Sequence, residues 1–160
     1  MMSRAPYITQ EGYQTLCDEL SYLLREKRPA LTRAVSEAAA LGDRSENAEY
    51  IYGKKLLRET DRRIRFLQKR LPDLQVIDRL PDDPSRIFFG AFVELEDEQG
   101  KILTIRIVGS DEFSPEKHWI SIDSPLARAL LGKQIDDEII VNLPNNNRTT
   151  YVVAHIKYKI

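Results

Sequence analysis

The sequence predicts an α+β chain: an N-terminal antiparallel α-helical coiled-coil hairpin, then a small, mostly antiparallel β domain with one short helix. Three observations predict it. Apolar residues recur in steps of three and four through residues 13–74. After residue 86 the period changes to two. Between the two patterns lies "RLPDDPSR", residues 79–86, with two prolines and no periodicity, which reads as a linker. The expected division is therefore a hairpin domain at 1–78, a linker at 79–86 and a β domain at 87–160.

In the first helix, Thr9 is the candidate N-cap and the apolar face runs Tyr13, Leu16, Leu20, Leu23. The face continues more weakly through Lys27, Ala30, Ala34 and Ala38 to Leu41. Pro29 falls inside this pattern and predicts a kink or local break, and Gly42 is the expected stop. The second helix is clearer. Tyr50, Gly53, Leu57, Thr60, Ile64, Leu67, Leu71 and Leu74 keep the three-four step throughout. Two such helices joined by a few residues form an αα-hairpin with its tip at 42–46. At 1.5 Å per residue, helices of about 30 residues make an arm of about 45 Å. Folding back into a globular bundle is the other arrangement, but each helix carries one narrow apolar stripe, which favours the arm.

In the second half, Phe89, Ala91, Val93 and Leu95 alternate with polar residues, "EDEQGK" turns, and "ILTIRIVG" returns as the partner strand. "HWISID" reads as a further strand. "SPLARALLGK" reads as a short helix, with Ser124 as N-cap, Pro125 at the first helical position and Gly132 just past the end. "DEIIVNL" and "TTYVVAHIKY" complete the sheet, joined by "PNNNR".

Composition sets the bounds on function. The 160 residues carry a net charge of -1, so overall charge points neither toward nor away from nucleic acid. The halves differ: residues 1–80 carry +3 and residues 81–160 carry -4, which suggests divided labour. Cys17 is the single cysteine and falls among apolar helix positions, so it is expected to pack as a small hydrophobe in a reducing compartment. "MMSRAPYITQ" has no apolar signal core, and no apolar run approaches the length that spans a bilayer. A soluble cytoplasmic protein with no membrane partner is expected. His118 and His155 lie in strand patterns away from Cys or clustered acids, so zinc is not expected. No Gly-rich phosphate loop or Ser/His/Asp arrangement is evident.

The tip "LGDRSENAEY" concentrates the chemistry. Asp43 and Glu46 have the spacing of a capping box, with Asp43 as N-cap and Glu46 at the third helical position. They also have the spacing at which two carboxylates converge on one cation such as Mg²⁺. Both readings stand on spacing alone. Two acids on an exposed tip lack the further ligands and the dry cavity that catalysis needs, so the second reading implies insertion into a partner. Behind the tip, residues 54–70 hold eight basic residues opposed only by Glu59 and Asp61. Lys54, Arg58, Arg62, Arg65 and Lys69 fall within an arc of about 80°, nearly opposite the apolar seam. A solvated coiled-coil face normally mixes signs, so an arc of five cations favours phosphate binding.

These residues resemble the bacterial Gre transcript-cleavage factors of the GreA/GreB family. The resemblance rests on "LGDRSENAEY" at the tip, "ITQEGYQTL" near the start, "KKLLRETDRRIRFL" on the second helix and "ISIDSPLARALLGK" in the second domain. It covers essentially the whole chain, and the dense basic stripe is most like the GreB branch. It implies an FKBP-like second domain that grips bacterial RNA polymerase at the rim of its secondary channel, with Asp123, Ser124 and Pro125 in the docking segment. It implies that the hairpin enters the channel and that Asp43 and Glu46 help hold a second Mg²⁺, shared with the polymerase active centre. Lys54, Lys55, Arg58, Arg62, Arg65 and Lys69 would contact the nascent RNA near its 3′ end. The implied role is an accessory factor, not itself an enzyme, that stimulates cleavage of backtracked RNA by the polymerase. A secondary-channel regulator that does not cleave is the alternative. A prolyl isomerase or peptide binder is a third, weaker reading from the expected fold alone.

Overall fold

The computed structural model describes residues 6–42, 44, 46–142, 144 and 147–159. The chain forms two compact units, one of residues 13–73 and one of residues 1–12 with 74–160. The hairpin unit is thus shorter than the 1–78 span read from the sequence, and residues 79–86 fold with the sheet rather than standing apart as a linker.

In the hairpin unit, α1 (Gln10–Tyr22) passes through a π-helical turn (Leu23–Lys27) into α2 (Arg28–Ala39), and α3 (Ala48–Arg70) returns. The seam of α3 is the predicted one: Gly53, Thr60, Ile64 and Leu67 are buried along it, and Leu71 continues it past the helix end. In the outgoing pass, Leu16 and Leu23 are buried as expected, but beyond Pro29 the seam shifts. Lys27, Ala30 and Ala34 are exposed, Leu31 and Val35 turn inward instead, and Ala38 is buried as expected. The cause is the π turn. The Arg28 N–H bonds to the Leu23 carbonyl five residues back, which inserts one residue into the helical repeat. Pro29, with no N–H and a ring that clashes with the preceding turn, is accommodated directly after this widened stretch. The predicted local break is present, and it moves the seam by one residue at Leu31 and Val35, while Ala38 is buried where it was expected.

Gly53 fits the shifted seam. A side-chain carbon at this position would meet Val35 Cγ2 at 2.9 Å, so the missing side chain lets the two helices close on each other. This glycine is thus a packing position on the seam, as its place in the three-four pattern predicts.

The second unit contains a five-stranded sheet in the order β5-β4-β3-β7-β6, with β3 (Phe92–Glu96), β4 (Ile102–Val108), β5 (Trp119–Ser121), β6 (Glu138–Asn142) and β7 (Arg148–Lys157). All pairings are antiparallel except β4 with β5. Val93 and Leu95 point into the core with Ile105, Ile107, Leu130 and Val153, as the alternating pattern predicts. The helix α4 (Pro125–Leu130) starts as read from sequence: the Ser124 hydroxyl accepts the Ala127 N–H at 3.2 Å, and Gly132 beyond its end has φ +82°.

One element escaped sequence reading. Strands β1 (Tyr7–Thr9) and β2 (Gln75–Ile77) form a separate parallel pair. A buried Glu112 anchors it. Its side-chain oxygens accept from the Thr9 N–H and Gly109 N–H at 2.8 Å each, and from the Thr9 hydroxyl. The Thr9 oxygen in turn accepts the Gly12 N–H at 3.0 Å, which makes it the N-terminal cap predicted for α1. A side-chain carbon on Gly12 would meet Glu112 Oε1 at 2.0 Å, so only glycine permits this approach.

Candidate functional site

The tip of the hairpin is built on Asn47. Its Oδ1 accepts the Tyr50 N–H at 3.1 Å, which makes Asn47 the N-cap of α3. Its amide nitrogen donates to the carbonyl of Ala38 at 2.7 Å, so the same side chain ties the start of α3 to the end of α2. This replaces the capping box expected from the sequence. Glu46 precedes the cap instead of lying at the third helical position, and it is exposed with no partner among the described residues. Asp43 lies outside the described residues. Arg44 sits with its guanidinium 5.7 Å from the centre of the Tyr50 ring.

Along α3 the basic residues divide into two kinds. Arg63 donates from Nε and Nη2 to both carboxylate oxygens of Glu19, at 2.6 and 2.8 Å. These bonds hold the Glu19 carboxyl below its ordinary pKa of 4.5. Asp61, one of the two acids on this stretch, is taken by Arg28 at 2.7 Å. The residues of the predicted stripe are different. Lys55, Arg58, Arg62, Arg65 and Lys69 are exposed, Lys54 is half-buried, and among the described residues none of them makes an ion pair. Of the two acids on this stretch, Asp61 is thus taken by a cation outside the stripe, while Glu59 is exposed. The remaining positive charge is one-sided and open to solvent, which suits a polyanion.

The predicted docking segment forms the start of α4. Asp123 and Pro125 are exposed, and Ser124 is partly buried because its hydroxyl serves as the cap. This fixes the backbone while leaving two of the three side chains accessible. The tip and stripe belong to the hairpin unit and this segment to the sheet unit. Among the described residues no group of three His, Cys, Asp or Glu gathers in metal-holding geometry, and no helix is long and apolar enough to cross a membrane. The two site features missed in the sequence are Asn47 and the Arg63–Glu19 pair. Asn47 carried a usable signal, since Asn is a favoured cap and stands immediately before the helical run.

Residues 6–76 match the family model for the N-terminal domain of GreA/GreB transcription elongation factors, and residues 81–158 match the model for their C-terminal domain. The transcription elongation factor GreB of Yersinia pestis is 59% identical over 158 residues, covering 99% of this chain and 92% of its own length. That of Haemophilus influenzae is 59% identical over 151 residues, covering 94% and 96%. Among solved structures, the GreA factor homolog 1 protein of Thermus thermophilus aligns over 96% of this chain and 99% of its own at 24% identity, with a TM-score of 0.43. With both halves matched in order and relatives similar over nearly their full length, the chain belongs to the GreA/GreB family of transcription elongation factors.

Proposed function

We propose that this chain binds bacterial RNA polymerase in the cytoplasm, inserts its helical hairpin through the secondary channel, and stimulates the polymerase's own Mg²⁺-dependent endonucleolytic cleavage of backtracked RNA near the 3′ end. The chain acts as an accessory factor and is not itself the enzyme. The observation that carries this reading is that Asn47 caps α3, which leaves Glu46 exposed at the hairpin tip and without a partner among the described residues.

The donor chemistry fits a hard cation. Glu46 and Asp43 offer carboxylate oxygens, the ligand type Mg²⁺ takes, but two carboxylates fall short of octahedral coordination. The polymerase active centre supplies the other ligands. A Mg²⁺ ion bound there would stabilise the attacking oxygen. The tip residues help hold that ion and orient water, while the basic stripe of Lys54, Lys55, Arg58, Arg62, Arg65 and Lys69 receives the phosphates of the extruded RNA. Asp123, Ser124 and Pro125 serve in docking on the polymerase, on a backbone rigidified by the Ser124 cap.

The test is incubation with a backtracked elongation complex and Mg²⁺, scoring shortened transcripts. The wild-type chain shortens them. Asp43→Asn combined with Glu46→Gln abolishes shortening while polymerase binding persists. Cleavage that survives the double change overturns the role of the tip acids. Wild-type binding without any shortening identifies a regulator that does not cleave.

A further inference from the structure

The basic stripe has an exposed aromatic ring at its edge. Phe66 is 45% exposed, while Ile64 and Leu67 on either side of it in sequence are buried in the seam. On the helix surface its neighbours are Arg62 four residues before and Lys69 three residues after, both exposed and without ion pairs among the described residues. On its other flank the Arg63 guanidinium lies 5.3 Å from the ring centre. That guanidinium is not free to reorient, because two hydrogen bonds fix it to Glu19. The result is a supported ring, with one cation stacked against it and two unneutralised cations alongside.

An exposed phenylalanine beside two cations, Arg62 and Lys69, that make no ion pair among the described residues matches a ligand that is flat and polarisable at one point and anionic on either side. Single-stranded nucleic acid has this character: each base offers a π-face, and phosphates flank it. An apolar side chain of a protein partner would use the ring but not the two adjacent charges. We infer that Phe66 is a base-stacking position for single-stranded RNA, with Arg63 and Glu19 holding the ring's support and Arg62 and Lys69 taking the neighbouring phosphates. The inference rests on α3 being the RNA-facing helix and adds to it a contact that reads bases as well as charge. Phe66 is 18 residues into α3, about 27 Å from the helix start at 1.5 Å per residue. It therefore serves the extruded strand well away from the tip.

The full chain is titrated at low salt against a short fluorescent oligouridylate and against an abasic RNA of equal length, with binding read by anisotropy. The wild-type chain binds the base-bearing RNA about tenfold more tightly, the gain expected from one stacked base. Phe66→Ala removes that difference and leaves the abasic affinity unchanged, whereas Phe66→Trp keeps it. Arg62→Glu with Lys69→Glu weakens both RNAs together. Equal wild-type affinity for the two RNAs overturns the stacking role and leaves the stripe as a phosphate surface. Failure of the wild-type chain to bind either RNA overturns the stacking role together with the RNA reading of α3, and leaves the ring to a protein side chain.

Discussion

The amide of Asn47 donates to the carbonyl of Ala38 at 2.7 Å while its oxygen caps α3 through the Tyr50 N–H. One side chain thus satisfies an orphan amide at one helix end and an orphan carbonyl at the other. It closes the hairpin immediately behind Glu46 and frees that acid from capping.

Two substitutions separate the two bonds of Asn47. Asn47→Asp keeps an acceptor for the cap but loses the donor to Ala38, whereas Asn47→Ala loses both. Urea denaturation followed by circular dichroism should show Asn47→Ala less stable by about 1–2 kcal/mol. Asn47→Asp should fall between it and the wild-type chain. Indistinguishable curves for Asn47→Asp and the wild type would show that the bond across the tip contributes nothing.

The shifted seam beyond the π turn makes an opposite pair of predictions at adjacent residues. Val35 faces Gly53, while Ala34 is exposed. Val35→Asp places a charge in the helix interface and should cost more than about 2 kcal/mol. Ala34→Asp should stay within about 0.5–1 kcal/mol of the wild type, near its helix-propensity cost. The reverse order in thermal melts would restore the register expected from the sequence.

The stripe should behave as a phosphate surface. Arg58→Glu with Arg62→Glu is expected to weaken RNA crosslinking and the rescue of deeply backtracked complexes. The slope of log affinity against log salt should become shallower by about 1.4, as two phosphate contacts on a single strand are lost. An unchanged slope would place the RNA on another face.

Tyr158 joins the C-terminal strand region to the segment before β3. Its hydroxyl donates to the Arg86 carbonyl at 2.6 Å and accepts the Phe88 N–H at 2.8 Å. Burial raises its pKa above the ordinary value of 10.0, and the nearby Asp83 charge adds to the effect. A phenol whose folded pKa is raised gives its full stabilisation below the unfolded value and loses it as pH climbs through the folded one. Stability should therefore fall above about pH 10 in the wild type. Tyr158→Phe should be less stable by about 1–3 kcal/mol at neutral pH, with a smaller alkaline decline. Equal alkaline declines in the two proteins would assign the effect to other groups.

How far the site could be read in advance varied with the range of the interaction. The stripe was legible because helical periodicity puts residues three and four apart on one face, and its five members share that face. Which cations are already neutralised was not legible. The Arg63–Glu19 and Arg28–Asp61 pairs join positions 44 and 33 residues apart. The capping box at Asp43 and Glu46 followed a correct spacing rule. Asn47, with one oxygen for the Tyr50 amide and one nitrogen for the Ala38 carbonyl, satisfies two ends at once.

By itself the sequence determined the α3 seam, the Thr9 and Ser124 caps, the β3–β4 and β6–β7 hairpins and the family signature. Each of these depends on residues close along the chain, where backbone geometry alone dictates who meets whom. Only the tertiary structure decided the β1–β2 pairing, the Glu112 anchor and the one-residue slip after Leu23. Strand pairing between residues 7–9 and 75–77 leaves no periodic trace in three-residue segments. A π turn is chosen by how the whole helix must pack around Pro29, not by any local preference.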